Sequence, residues 1–385
     1  MKTNPEVVIE PWLTPTEVRK QVFKSAKTDG KKIALYFVKG PDSSTFRYRC
    51  YNTFEATKNS KTWQAIYFYH SEAKLVKKLI KDSDVIILGR QSRWNQLISE
   101  VISISRTYHK KVFFDLDDLV FDTKYIPIVL NTIGETNTDF WVPYFSDINL
   151  TAKHCDGFVV TNEFLGDHLK RTFNKPYTVI INSFNKEQLI ASRVYSSRRG
   201  VARKDDNFIA GYFSGSPTHA NDFEVALPEV IAFLKNRPNA ILRIVGLMDF
   251  TESAKPFLKS GQIDFIPPVD FRKLQRLISE VDVNIAPLVE NDFTNCKSEL
   301  KFFEAAIVET PTIASPTFAF KNAIKDGVNG FLARPGEWFE KLEFLYNNPA
   351  IRKKVALAAK SYCLENYYGP KFLAKVEKAY DDLSK

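Results

Sequence analysis

Short apolar runs alternate with longer amphipathic stretches along most of the chain, and this alternation predicts the strand–helix units of parallel sheets. In the first half, strands are predicted at Ile33–Val38, Ala65–Tyr69, Val85–Leu88, Val112–Asp115, Gly157–Thr161 and Thr178–Ile181. In the second half, strands are predicted at Phe208–Phe213, Ile241–Val245, Ile263–Ile266, Val283–Ala286 and Thr312–Ala314. Helices are predicted between the strands, for example at Ser71–Lys81 and Trp94–Tyr108, and throughout Pro349–Leu383.

The alternation is interrupted at Ser192–Asn207, which is polar, charged and nearly free of large aliphatic side chains. We predict a linker or an exposed crossing there. The expected fold is therefore α/β, with two Rossmann-like domains facing each other across a cleft. The domains are expected at residues 1–190 and 191–365, and a C-terminal helix at 366–385 is expected to pack back on the N-terminal domain. Ligands of such sheets bind beyond the carboxyl ends of the strands, so the cleft is the expected site.

Composition places the chain among globular proteins, with 44% hydrophobic and 26% charged residues and a formal net charge of +9. No apolar run approaches the roughly 20 residues that span a bilayer, and the N-terminus lacks the apolar stretch of a signal peptide. Four dispersed cysteines form no pair typical of a zinc site and fit reduced thiols. We therefore expect a cytoplasmic protein. For the basic stretch Ser71–Lys81, two interpretations stay open: contact with the inner membrane surface, or an ordinary surface helix.

The segment Phe213–Asp222 follows a predicted strand and opens a predicted helix. Its small residues Ser214, Gly215 and Ser216 would allow backbone N–H groups to point at a phosphate from a helix N-terminus. A plain turn with a capping hydroxyl is the alternative.

A second segment begins at Asn295 and contains Lys297, Lys301 and Glu304. On a continuous helix these three residues would lie on one face. Lysine would neutralise a phosphate, and glutamate would accept hydrogen bonds from ribose hydroxyls. A solvated charged helix face is the alternative.

The second segment also carries a resemblance to a known family. Lys301, Glu304 and Ala305, followed by Pro311 and Ile313–Ser315, resemble the donor-binding signature of retaining GT-B-fold glycosyltransferases of the family-four type. The stretches Asp326–Leu332 and Ile244–Gly246 also match the family's pattern, so that the resemblance covers roughly residues 207–370. Two departures concern the donor site: Cys296 stands where most members carry a sugar-contacting glutamate, with Glu299 out of register, and the family's usual Arg–Lys pair is missing.

The resemblance implies transfer of a sugar from a UDP-, GDP- or dTDP-sugar to a saccharide or lipid-linked acceptor, with retention and without metal or cofactor. Cell-envelope or capsular polysaccharide synthesis is the implied setting. Residues expected to bind the donor nucleotide are Ser214, Gly215, Ser216, His219, Ile266, Lys297, Ser298, Lys301 and Glu304.

Two N-terminal segments are expected at the same cleft. Asp117 and Asp118 follow a strand, where they could contact acceptor hydroxyls or stabilise positive charge on the sugar, and with Lys301 they are the candidate catalytic residues. A metal site at these aspartates is disfavoured because no histidine lies close by, and local capping is the alternative. Gly40, Arg47 and Arg49 belong to a predicted loop that would lie over the donor phosphates; a basic surface loop is the alternative.

Two other classes of function stay open. A nucleotide-sugar epimerase can have the same double-Rossmann shape and needs no acceptor. A basic nucleic-acid-binding protein would fit the net charge, but the chain shows no recognised binding motif and its basic residues are scattered, so we expect no nucleic-acid partner.

Overall fold

The computed structural model describes residues 11–41, 45–90, 93–198, 207–214, 220–248 and 250–385. Within these residues the chain forms two six-stranded parallel sheets, each flanked by helices. The predicted architecture of two Rossmann-like domains is thereby confirmed.

The N-terminal sheet has the strand order β2-β1-β3-β4-β5-β6. Its strands are β1 Lys32–Val38, β2 Trp63–Tyr69, β3 Val85–Gly89, β4 Val112–Leu116, β5 Gly157–Val160 and β6 Tyr177–Val179. The central strands are covered by helices on both faces, which is why they appear in the sequence as continuous apolar runs. The helices are α1 Thr16–Thr28, α2 Asn52–Thr57, α3 Ala73–Leu79, α4 Gln96–Thr107, α5 Ile126–Ile133, α6 Trp141–His154 and α7 Glu163–Phe173.

The chain passes to the second domain through α8 (Lys186–Arg198), which packs against α12 (Phe271–Ser279). The prediction of a linker from Ser192 onward is therefore wrong for residues 192–198, which are helical, whereas the alternative of an exposed crossing agrees with the exposed side chains of Arg193 and Val194. The prediction failed because this helix buries polar side chains, including Gln188 and Ser192, instead of a stripe of aliphatic ones. Residues 199–206 lie outside the described part of the chain.

The C-terminal sheet has the strand order β12-β11-β10-β7-β8-β9. Its strands are β7 Phe208–Ser214, β8 Ala240–Gly246, β9 Ile263–Ile266, β10 Val283–Ala286, β11 Thr312–Ala314 and β12 Phe331–Leu332, the last of which was not predicted. The other helices are α9 Ala220–Glu224, α10 Leu227–Asn236, α11 Lys255–Ser260, α13 Asp292–Asn295, α14 Leu300–Ala306, α15 Phe318–Ala323, α16 Trp338–Asn347, α17 Pro349–Asn366 and α18 Gly369–Ser384.

The last helix, α18, packs on the N-terminal domain, as predicted for the end of the chain. Phe372, Val376 and Tyr380 join the hydrophobic core of that domain. The Tyr380 hydroxyl lies 3.0 Å from the Tyr36 hydroxyl on β1, and Trp63 Nε1 donates to Asp381 over 3.0 Å. The last helix is thus part of the N-terminal domain.

Two further structural findings concern the described residues. None of their helices combines the length and the apolar character needed to cross a bilayer. All four cysteines are buried and unpaired.

Candidate functional site

The carboxyl ends of the two sheets face each other, and hydrogen bonds between the domains mark the cleft. Thr161, after β5, donates to the Cys296 carbonyl over 3.3 Å. Asn162 donates to the Asn295 and Lys297 carbonyls over 3.2 and 3.1 Å. These bonds bring the second candidate segment to the edge of the N-terminal sheet.

These same bonds explain why Lys297 does not share a helix with Lys301. The carbonyls of Cys296 and Lys297 accept hydrogen bonds from the N-terminal domain, and α14 begins only at Leu300. The expectation of one continuous helical face over Lys297, Lys301 and Glu304 is therefore wrong. The pair Lys301 and Glu304 does lie on one helix.

Lys301 presents an enclosed ammonium group. Its Nζ is buried and has no hydrogen-bond partner among the described residues. It lies 4.9 Å from the centre of the Tyr212 ring, on the strand that leads to Ser214. Burial lowers the pKa of Lys301 to about 8, although Asp222 favours the charged form. An enclosed cation without a hydrogen-bond partner is costly, so this position favours an anionic ligand.

Glu304 is buried, and its carboxylate faces polar side chains of the N-terminal domain and of α8. The Tyr48 hydroxyl donates to Oε1, Gln188 Nε2 lies 3.5 Å from the same oxygen, and Arg47 Nη2 lies 3.8 Å from it. Burial raises the pKa of Glu304, and Arg47 opposes that shift. The alternative of a solvated charged helix face is therefore wrong for this helix.

Arg47 and Tyr48 belong to a π-helical segment, Arg47–Tyr51, that leads directly into α2. The predicted loop is thus helical here, and the alternative of a basic surface loop is wrong because both Arg47 and Arg49 are buried. A π-helical turn widens the backbone spiral and often occurs at functional sites. Gly40 lies just beyond the carboxyl end of β1, and residues 42–44 lie outside the described chain.

Arg47 lies among aromatic rings, with its guanidinium 5.0 Å from the Phe271 ring and 4.5 Å from the Tyr48 ring. Its Nη2 donates to the Tyr48 hydroxyl over 2.7 Å. Its Nε and Nη1 have no hydrogen-bond partner among the described residues. Arg47 therefore keeps donors for a further ligand.

Arg49 is bonded within its own domain. Its Nε and Nη2 donate to the two carboxylate oxygens of Asp115 over 2.9 and 3.0 Å, a bidentate pair at the end of β4. It also donates to the Ile180 carbonyl and, over 3.2 Å, to Asn182. Arg49 therefore links β4 to the end of β6. These bonds give no support to the expected contact of Arg49 with a phosphate.

Asp117 and Asp118 face cations on both sides of the cleft. Arg90, which follows β3, pairs with Asp118 and lies 3.1 Å from Asp117. Lys297 lies 3.4 Å from Asp118 and so links the two domains. Burial alone would raise the pKa of Asp118, but Lys297 and Arg90 outweigh it and hold the pKa below its ordinary value. Asp118 is therefore ionised at neutral pH.

The segment after β7 is described only in part. Ser214 ends the strand and is buried, whereas Gly215, Ser216 and His219 lie outside the described residues. Gly246 ends the neighbouring strand with φ +127°, and a Cβ there would stand 1.9 Å from the Ser214 carbonyl oxygen. Glycine thus allows the two strand ends to approach each other closely.

Other predicted donor-site residues have different positions. Ile266 ends β9, and the Ser298 hydroxyl accepts a hydrogen bond from Asn182 across the cleft over 2.7 Å. Cys296 is fully buried, and the nearby Glu299 accepts from the Tyr367 hydroxyl over 2.6 Å. Glu299 is thus bonded to Tyr367, the residue that directly follows α17.

Sequence reasoning missed Tyr48 and Arg90. Tyr48 lies next to the predicted Arg47, but its partner Glu304 is 256 positions away. Arg90 follows a strand of the sheet at the edge where ligands bind, and that position was a signal that could have identified it. Within the described residues, no group of three histidine, cysteine or carboxylate side chains is placed to hold a metal ion.

Comparison with known proteins defines the class. Residues 210–348 match the family model of the group 1 glycosyl transferases. No curated protein sequence matches the chain. Among solved structures, HepE of Anabaena in complex with UDP and glucose is similar at 14% identity and a TM-score of 0.58, covering 92% of this chain and 99% of that one.

Two further solved structures are also similar to this chain over nearly their whole length. A glycosyltransferase from Rickettsia africae is similar at 14% identity, with a TM-score of 0.61 and coverage of 92% of this chain and 99% of that one. WaaG, a glycosyltransferase involved in lipopolysaccharide biosynthesis, is similar at 10% identity, with a TM-score of 0.57 and coverage of 91% and 99%. At these identities the likeness shows the fold. The residues that match the glycosyl transferase family model, 210–348, belong to the domain built on the second sheet. Together with the fold, this match identifies the protein as a glycosyltransferase of the GT-B fold.

Proposed function

We propose that the chain transfers a sugar from a nucleotide-sugar donor to a saccharide or lipid-linked saccharide acceptor, with the donor diphosphate held by Lys301. The observation that carries this proposal is the enclosed Lys301 ammonium, which has no hydrogen-bond partner among the described residues. It lies beside the strand end that precedes the candidate phosphate-binding segment. A diphosphate would give this cation the partner that it lacks.

In the reaction, the bond between the anomeric carbon and the diphosphate oxygen breaks, and a bond to an acceptor hydroxyl oxygen forms while the proton of that hydroxyl passes to the departing diphosphate. Negative charge grows on the departing diphosphate, where Lys301 would stabilise it. Lys297, already at the cleft, would assist on the same side. Asp117 and Asp118 would face the acceptor or the positive charge that develops on the sugar.

Glu304 would accept hydrogen bonds from the ribose hydroxyls, as the family resemblance implies. Tyr48 now donates to the same carboxylate, so nucleotide binding would require Tyr48 to move away from Glu304. Arg47, with two donors still without partners among the described residues, would then be placed to meet the nucleotide from the N-terminal domain.

Retention of configuration and independence of metal belong to this proposal. Asp117 and Asp118 are already balanced by Arg90 and Lys297, which supports a role other than binding a divalent cation. Cell-envelope or capsular polysaccharide synthesis at the cytoplasmic side of a membrane is the proposed setting. HepE was solved with UDP-glucose, and WaaG is named for lipopolysaccharide biosynthesis, which agrees with such a setting.

The proposal is tested by thermal-shift measurements with UDP-, GDP- and dTDP-glucose, followed by assays of nucleotide release in excess EDTA. We expect one nucleotide family to raise the melting temperature and turnover to persist in EDTA. Turnover that EDTA abolishes and Mn²⁺ restores would contradict metal independence. Conversion of the donor into its epimer without an acceptor would favour the epimerase.

A further inference from the structure

An aromatic surface beside Asp117 and Asp118, which we call the acidic cluster, is not used by the proposed function. We call Phe140, Trp141 and Tyr144, at the beginning of α6, the aromatic ledge. The Phe140 side chain is 60% exposed, and its ring stacks on Tyr144 with centroids 5.5 Å apart and planes 17° apart. Trp141 stands nearly perpendicular to Phe140, with centroids 5.3 Å apart. Exposed apolar surface of this kind marks interaction sites.

The ledge is continuous with the cleft. Arg93, three residues beyond Arg90 in the chain, places its guanidinium 5.8 Å from the Tyr144 ring. The chain between the acidic cluster and the ledge forms α5, whose Asn131 carbonyl accepts a hydrogen bond over 2.9 Å from Asn221 of the C-terminal domain. The ledge therefore lies on the N-terminal side of the cleft, next to a point where the two domains touch.

One carboxylate bonds to the ledge, and two more lie close to it in the sequence. Glu135 accepts a hydrogen bond from Trp141 Nε1 over 2.9 Å, Asp139 immediately precedes Phe140, and Asp147 lies two turns into α6. Among the described residues, the cation that lies over a ring of the ledge is Arg93. Carboxylates repel the anionic headgroups of a membrane, but they accept hydrogen bonds from sugar hydroxyls. The local chemistry thus favours a carbohydrate over a lipid surface.

We propose that the aromatic ledge binds a sugar ring of the acceptor. The exposed face of Phe140 covers the apolar face of that ring, and Glu135 and Asp139 accept hydrogen bonds from its hydroxyl groups. The inference rests on the proposed function, because it adds a second contact to an acceptor that the acidic cluster faces. It assigns the recognition of an extended acceptor to α6 rather than to the donor-binding domain.

The experiment is saturation-transfer NMR of the full chain with methyl glucoside, methyl galactoside, maltose and lactose. We compare Phe140→Ser, which removes the ring, with Phe140→Trp, which keeps one. Leu357→Ser is the matched control, because Leu357 is 45% exposed on α17 and is not part of the aromatic ledge. We expect saturation of sugar protons by the wild type, by Phe140→Trp and by the control, and about tenfold weaker binding to Phe140→Ser.

Three results would overturn the inference. The first is no saturation transfer from the wild type to any of the four sugars, and the second is equal transfer by Phe140→Ser. The third is loss of binding to phosphatidylglycerol–phosphatidylethanolamine vesicles in Phe140→Ser alone, which would make the ledge a membrane contact. Calorimetry with UDP and GDP separates this inference from the proposed function. Failure of the wild type to bind any nucleoside diphosphate contradicts the proposed function, whatever the sugars show.

Discussion

At the scale of single residues, the site is defined by charges that lack full compensation. Lys301 is enclosed without a hydrogen-bond partner among the described residues, and Arg47 keeps two such donors. Glu304, in contrast, is already bonded by Tyr48. If the proposed function holds, Lys301 gains a ligand when a nucleotide binds, whereas Glu304 exchanges Tyr48 for the ribose hydroxyls.

The lowered pKa of Lys301 predicts how nucleotide affinity depends on pH. The ammonium of the free enzyme is charged below a pH of about 8 and neutral above it, so affinity for UDP should fall as the pH rises through about 8. The terminal phosphate of UDP, with a second pKa of about 6, is fully ionised over this range. Lys301→Arg should bind UDP with little change between pH 7 and pH 9, because arginine stays charged. Calorimetry at several pH values makes the comparison; an equal decline in both proteins would exclude Lys301 as the titrating group.

Tyr48→Phe should tighten the binding of UDP, because it removes the hydroxyl that competes with ribose for Glu304. The expected gain is about 0.5–1.5 kcal/mol, the net value of one hydrogen bond. Tyr51→Phe is the matched control: Tyr51 belongs to the same π-helical segment but lies 3.5 Å from Glu187. Weaker binding in Tyr48→Phe would show that Tyr48 assists the nucleotide instead of competing with it.

The sequence predicted the pair Lys301 and Glu304 because a spacing of three residues fixes their proximity on a helix. It could not predict the partners of this pair. Tyr48 reaches Glu304 only because two domains close on each other, and no local pattern encodes that contact.

At the scale of elements, the strands were predicted well because burial on both faces leaves a continuous apolar run, as in β1. Two helical segments, in contrast, were not predicted as helices along their full length. The Arg47–Tyr51 segment was predicted as a loop, and α8 was partly predicted as a linker. Both bury polar side chains, such as Arg49 and Gln188, that bond to residues distant in the sequence. The apolar periodicity that indicates a helix is therefore missing from their sequences.

The packing of α18 on the N-terminal domain carries a stability prediction. Tyr380 is fully buried and contacts Trp63 with ring centroids 5.2 Å apart. Tyr380→Ala should lower the free energy of unfolding by about 3–5 kcal/mol, as for other large aromatic residues replaced in a core. Tyr380→Phe should cost only about 1 kcal/mol, the value of its hydrogen bond with Tyr36. Urea unfolding measures both; a small effect of Tyr380→Ala would show that α18 is not part of this core.

At the scale of the whole molecule, Asp118 connects the domains by facing Arg90 from one side and Lys297 from the other. We expect Asp117→Asn and Asp118→Asn each to lower the rate of donor turnover by at least about tenfold, which corresponds to about 1.4 kcal/mol in the barrier. Asp122→Asn, on the same loop but bonded locally to the Lys124 backbone, is the control. Normal rates in both variants would make the acidic loop a purely structural link.

Calorimetry of UDP and GDP with the wild type, Lys301→Ala and Lys321→Ala measures whether Lys301 holds the donor diphosphate. Lys321 is exposed on α15 and serves as the matched loss of one positive charge. We expect Lys301→Ala to weaken nucleotide binding at least about tenfold and to lower kcat, with a barrier increase of roughly 2–4 kcal/mol by analogy with lost oxyanion donors. We expect Lys321→Ala to behave as the wild type does. Equal affinity and turnover in all three proteins would show that Lys301 does not hold the diphosphate.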